Sequence, residues 1–229
     1  MAVQHGMPGE WAKVRGTVCS LWPLGICLVC FGAFAAATAL GRHPEIFGAL
    51  FAASAVAVAV WWRRGLLRVE SFVKGARGEE AMAGLFARLS DDWHVFHDFE
   101  AGVHHVDHVL VGPAGVFAVE TKNWQDPVRF ESGEVLVGGH VPTHPPIPQS
   151  LAEAKAVKAA LEDAGWTGEV APVVCFVSGT FGDGFVQTEK TKVIVANADA
   201  FMKWLVKQPT ARAAGDCARL VQLIETRDL

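Results

Sequence analysis

Charged residues vanish from two stretches near the start of the chain. Thr17 to Leu40 carries none, and Ile46 to Trp62 carries none. As helices these runs would be roughly 36 Å and roughly 26 Å long at 1.5 Å per residue, against a hydrocarbon core of about 30 Å. Gly41 and Pro44 sit between them, where a helix end and a helix start are favoured. The pattern predicts a transmembrane helical hairpin. The first run is too long for a cleaved signal peptide and has no small-residue cleavage site before a polar start.

Beyond residue 70 the periodicity changes. Residues 63–74 read as a short basic linker. Gly75 to Leu89 places Ala81, Met82, Leu85, Phe86 and Leu89 at helical spacing. Strands are expected at Trp93 to Phe99, Val106 to Val111 (ended by Gly112-Pro113) and Gly115 to Lys122, and a hairpin at Val128 to Phe130 with Val135 to Val137. A proline-rich loop, Val141 to Pro148, precedes an amphipathic helix over Gln149 to Ala164, with Leu151, Ala154, Val157, Ala160 and Leu161 on one face. Val170 to Val177 is a strongly apolar strand, Lys192 to Ala196 another, and Asp199 to Val206 and Ala211 to Thr226 are helical. This order predicts an α/β fold with a mixed sheet in three layers. The apolar run Pro172 to Val177 suits a strand covered on both faces.

Composition and charge sharpen the division. The 229 residues are 51% hydrophobic and 19% charged, with a mean hydropathy of +0.27, which excludes a disordered chain and a plain soluble enzyme. Six Lys/Arg stand against two Asp/Glu before residue 70, and fourteen against twenty-two from there on. A basic apolar anchor (1–69, spans near 17–40 and 46–62) is therefore expected to precede an acidic domain (70–229). Lys13 and Arg15 flank the first run, Arg63, Arg64 and Arg68 the second, and only Arg42 lies in the turn. That asymmetry puts both termini and the domain on the cytoplasmic side of the cell inner membrane. Five cysteines form no disulfide framework. Cys27-x-x-Cys30 has no second half and lies within the first span with Cys19, so packing is the expected role.

One strand carries chemistry at its end. In Gly115-Val-Phe-Ala-Val-Glu120-Thr-Lys122 the carboxylate and the ammonium lie two apart and share a strand face. Asp107 interrupts the apolar strand before it. If those strands pair through the turn at 112–115, Asp107 lies beside Glu120. Two close carboxylates favour a cation between them, and a hard divalent ion takes such oxygens. The same spacing also fits a plain surface ion pair. Histidines gather at His94, His97, His104, His105 and His108. A transition-metal site is one reading; the other puts His104 and His105 in a solvated turn.

Four blocks in order resemble the nuclease-related domain (NERD) family: Gly75-Ala-Arg-Gly78-Glu79, Val106-Asp107-His108-Val-Leu-Val-Gly112, Gly115 to Asn123, and Pro148-Gln149. The resemblance covers roughly residues 70–180. It implies the PD-(D/E)xK nuclease superfamily, with a restriction-endonuclease-like core of helix, three-stranded meander, helix and strand, and hydrolysis of DNA phosphodiester bonds with Mg²⁺ or Mn²⁺. It further implies Asp107 and Glu120 as metal ligands, Lys122 as catalytic lysine, Glu79 as an auxiliary acid, and Gln149 as a substrate contact or a brace. The acidic domain departs from the basic footprint usual for nucleic-acid binders. Lys155 and Lys158, with Arg129, Lys74 and Arg77, are the local basic candidates. The alternative is a non-catalytic, membrane-tethered binding module that retains the nuclease fold.

Overall fold

A computed structural model describes residues 1–41, 43–178, 181–211 and 214–227. Arg42, expected in the turn, lies outside the described residues, as do the side chains of Cys19, Arg63, Arg64 and Arg68. The chain forms two compact units, Trp11–Lys74 and Met1–Glu10 together with Gly75–Leu229.

Two long helices, α1 (Glu10–Ala39) and α2 (Pro44–Phe86), supply the first unit. Their apolar stretches run antiparallel. Phe34 stacks on Phe51, Trp22 meets the edge of Trp61, and a Cβ on Gly48 would lie 3.2 Å from the Phe34 ring. Leu28, Val29 and Val56 are exposed on this pair. Residues 63–74 do not form the expected linker. Glu70, Lys74 and Ala76 are good helix formers, no proline interrupts the run, and α2 continues through it to Phe86.

In the other unit, among the described residues, seven strands make one mixed sheet in the order β1-β2-β3-β4-β7-β9-β8. They are β1 (Val3–His5), β2 (His94–Ala101), β3 (His104–Gly112), β4 (Gly115–Lys122), β7 (Val170–Phe176), β8 (Phe185–Gln187) and β9 (Ile194–Asn197). The meander β2-β3-β4 is antiparallel, and β4, β7 and β9 run parallel. The strands β5 (Val128–Glu131) and β6 (Glu134–Val137) form the expected hairpin as a separate sheet. Helices lie on both faces. Met82 and Phe86 of α2, with Phe201 and Leu205 of α4 (Ala198–Leu205), pack on Leu110, Phe117 and Val119. Ala154, Val157 and Leu161 of α3 (Pro146–Asp163), with Leu220 and Ile224 of α5 (Ala214–Arg227), pack on Val109, Val111 and Ala118. The alternation of Leu110 and Val109, and of Phe117 and Ala118, between these two cores is the strand period realised in packing.

Neither β1 nor β8 is foreseen by the sequence pattern. Each has three residues, too short for alternation to register, and each is defined by its partner strand. His104 and His105 belong to β3 rather than to a solvated turn. Their partners across the ladder are Ala101 and Glu100 of β2, so pairing extends the strand beyond its apolar part.

Candidate functional site

The site forms where β4 ends. The β3–β4 ladder runs from Gly112↔Gly115 to His108↔Val119, and one further step sets Asp107 against Glu120. There Asp107 Oδ2 accepts the Thr121 N–H at 2.7 Å. On its other side β4 is parallel to β7, with Glu120 opposite Val174 and Lys122 opposite Phe176, and the Val177 N–H donates to the Lys122 carbonyl at 3.0 Å. The end of β4 is thus clamped by neighbours on both sides. On β2, Asp98 lies between the His97↔His108 and Phe99↔Val106 pairs with φ of 52°, a left-handed conformation that aspartate adopts more readily than most residues.

Side chains from α3 complete the cluster. Lys122 Nζ donates to Glu120 Oε1 in a short contact and to Gln149 Oε1 at 3.1 Å. Gln149 Nε2 donates to Glu153 Oε1 at 2.8 Å. Glu120 is 4% exposed and Glu153 3%. Burial works to lower the Lys122 ammonium's pKa, but the Glu120 charge and hydrogen bond, with Asp107 and Glu153, hold it above its usual value. Burial, the charges of Glu120 and then Glu79 push the Asp107 carboxyl well above the carboxylate range, against the Thr121 N–H and Lys122. Burial and the Glu120 charge raise Glu153 to about 9.

Glu79 reaches the cluster from α2. It is 8% exposed, and burial, then Asp98 and Glu120, raise its carboxyl to about 7. Gly78 explains how α2 comes so near. A Cβ there would lie 2.8 Å from the Asn123 Cβ, so only glycine lets the helix pass the residue after Lys122.

Asp107, Glu120, Lys122 and Glu79 therefore share one electrostatic neighbourhood, and Gln149 joins through Lys122. Gln149, expected as a substrate contact or a brace, has both ends of its amide engaged by protein groups. Glu153 escaped the sequence reading. Its signal was present: the buried stripe of α3 reads Ser150, Glu153, Ala154, Val157, Ala160, Leu161, and an acid stands in it.

Among the described residues, His97 with His108 and His5 with His94 form hydrogen-bonded pairs. His97 Nδ1 meets His108 Nδ1 at 2.8 Å, and His97 Nε2 meets Gln4 Oε1 at 2.5 Å. Burial lowers His97 to about 4 and His108 well below its ordinary value. His5 Nε2 meets His94 Nδ1 at 3.1 Å, and His105 Nε2 pairs with Asp98 Oδ1 at 2.8 Å. Among the described residues no group of three or more His, Cys, Asp or Glu is arranged to hold a metal ion.

Residues 74–177 match the nuclease-related domain (NERD) family model, and this stretch of the chain is a nuclease-related domain. No curated protein and no solved structure matches the chain significantly.

Proposed function

We propose that this protein is a membrane-anchored, divalent-metal-dependent nuclease of the PD-(D/E)xK type that hydrolyses phosphodiester bonds in DNA. The observation that carries the reading is the gathering of Glu120 and Lys122 at the end of the clamped strand β4 beside Asp107 of β3. Burial with the Glu120 and Glu79 charges pushes the Asp107 carboxyl up, and burial with Asp98 and Glu120 raises Glu79, a crowding of carboxyl groups that a cation would relieve. The donors are hard oxygens, and Mg²⁺ is commonly held by one or two carboxylates with water and substrate phosphate completing its shell. Asp107 and Glu120 would hold Mg²⁺ or Mn²⁺, which polarises a phosphoryl oxygen and acidifies bound water. Lys122 carries a positive charge toward the negative charge that develops on the phosphoryl oxygens. Glu79, with a carboxyl near neutrality, orients water or takes up its proton. Gln149 braces Lys122. Helices on both faces of a meander extended by a parallel strand support a restriction-endonuclease-like core.

The helical pair would cross the inner membrane twice. Glu10–Ala39 and Glu45–Trp62 are long and apolar enough, and their apolar side chains are largely exposed. The segment before the pair and the segment after it belong to one sheet, since β1 pairs with β2. Both ends then lie on one side, and the flanking Lys and Arg favour the cytoplasm.

The domain's acidic balance favours a second reading, a tethered module that binds without cleaving. Incubating the full-length protein in detergent with single-stranded, duplex and branched DNA separates the two. Cleavage of at least one form with Mg²⁺ or Mn²⁺, lost with chelator, is the expected result; binding without cleavage under every condition supports the module.

A further inference from the structure

Gln149 stands between two groups that leave its amide one orientation. Lys122 is an ammonium with donors only, so it faces the amide oxygen. Glu153 Oε1 accepts, so it faces the amide nitrogen. Gln149 and Glu153 lie four residues apart on α3, where side chains meet on one helix face. The second oxygen of Glu153 is buried with no hydrogen-bond donor among the described residues. The contacts run in a chain: Glu120 and the Gln149 oxygen both accept from Lys122, and Glu153 accepts from the Gln149 nitrogen. An acid in the buried stripe of α3 costs stability where an apolar residue would pack. Its hydrogen bond leads through Gln149 to Lys122.

We propose that Glu153 is a positioning residue that fixes the Gln149 amide, so that Gln149 and Glu120 hold the Lys122 ammonium between them. Its catalytic consequence rests on the nuclease reading; its geometric consequence does not. Without Glu153 the Gln149 amide turns freely and Lys122 loses one of its two oxygen partners.

The test uses the full-length protein in detergent and two readouts, steady-state DNA cleavage and acetylation of Lys122 by an amine-reactive reagent, quantified by mass spectrometry. Glu153→Ala should raise Lys122 labelling about tenfold and lower kcat by about tenfold or more, with KM little changed, the scale seen when an outer residue orienting a site is lost. Glu153→Gln should recover both values, because its amide oxygen still accepts from the Gln149 amide nitrogen. Gln149→Ala should repeat Glu153→Ala, and the double variant should add nothing. Unchanged Lys122 labelling in Glu153→Ala, full additivity, or a Glu153→Gln variant as labile as the alanine one would overturn the proposal. Should Glu153→Ala fail to fold, high labelling in Gln149→Ala beside low labelling in Glu153→Gln decides for it, and equal labelling against it. A wild-type protein that cleaves no DNA removes the nuclease reading, while the labelling series still judges Glu153.

Discussion

The Lys122 ammonium donates to the Glu120 carboxylate two residues before it on β4, in the layer that Gln149 and Glu153 of α3 also enter. Glu120 is nearly excluded from solvent, and the Lys122 ammonium is the cation paired with it. Lys122→Ala is expected to lower stability by about 3 kcal/mol, since removing one member of a buried pair strands the other. Urea denaturation of the full-length protein measures this. Adding Glu120→Gln to Lys122→Ala should return much of the loss.

Asp107 has the opposite sign. Its pKa is raised in the fold by burial, Glu120 and Glu79, so its ionised form opposes folding at neutral pH. Asp107→Asn keeps an oxygen for the Thr121 N–H and removes the repulsion. Without metal, its melting temperature should equal or exceed that of the wild type. Mg²⁺ or Mn²⁺ should raise the wild-type and Lys122→Ala melting temperatures by binding the native state, and leave Asp107→Asn unmoved. Thermal melts with and without each ion check both statements.

Glu79 sets a pH dependence. Its ordinary value of 4.5 rises to about 7 in the fold, so the folded protein holds a proton there that the unfolded chain releases earlier. The contribution to stability is complete below about pH 4.5 and is lost as pH rises through about 7. Glu79→Gln should flatten melting temperature against pH across that window. Unchanged slope in the variant would show that another group titrates there.

Gly78 inverts an ordinary rule. Glycine to alanine inside a helix commonly stabilises by roughly 1 kcal/mol. Here the new Cβ would meet the Asn123 Cβ at 2.8 Å, and neither atom is the end of a flexible chain. Gly78→Ala is expected to destabilise by about 1–2 kcal/mol through overpacking, and to lower activity by shifting Glu79 away from the end of β4. Chemical denaturation beside a cleavage assay reads both.

The physical reasons for what the sequence revealed differ from element to element. Continuous apolar runs, Val109 to Val111 and Val116 to Val119, exposed the meander, because these strands are buried on both faces and bounded by Gly112-Pro113 and Gly115. The hairpin at residues 128–137 announced itself through its Glu-Ser-Gly-Glu turn. Spacing also brought Asp107, Glu120 and Lys122 into one strand pair. Long-range pairing stayed hidden: β1 has three residues and exists through β2, some ninety positions away. Continuity of α2 was hidden as well, because a basic tract between apolar runs reads as a linker until packing is known. Glu153 was masked by its neighbours, since the apolar face of α3 was read from Leu and Ala while the acid within the buried stripe was passed over.

The most direct measurement of the central claim is cleavage of DNA by the full-length protein, wild type beside Lys122→Ala, with Mg²⁺ or Mn²⁺ and with chelator. The nuclease account expects metal-dependent cleavage by the wild type and none by Lys122→Ala, although the variant still gains thermal stability from the metal. Cleavage that persists in Lys122→Ala, or none by the wild type with either ion on any DNA form, would contradict it.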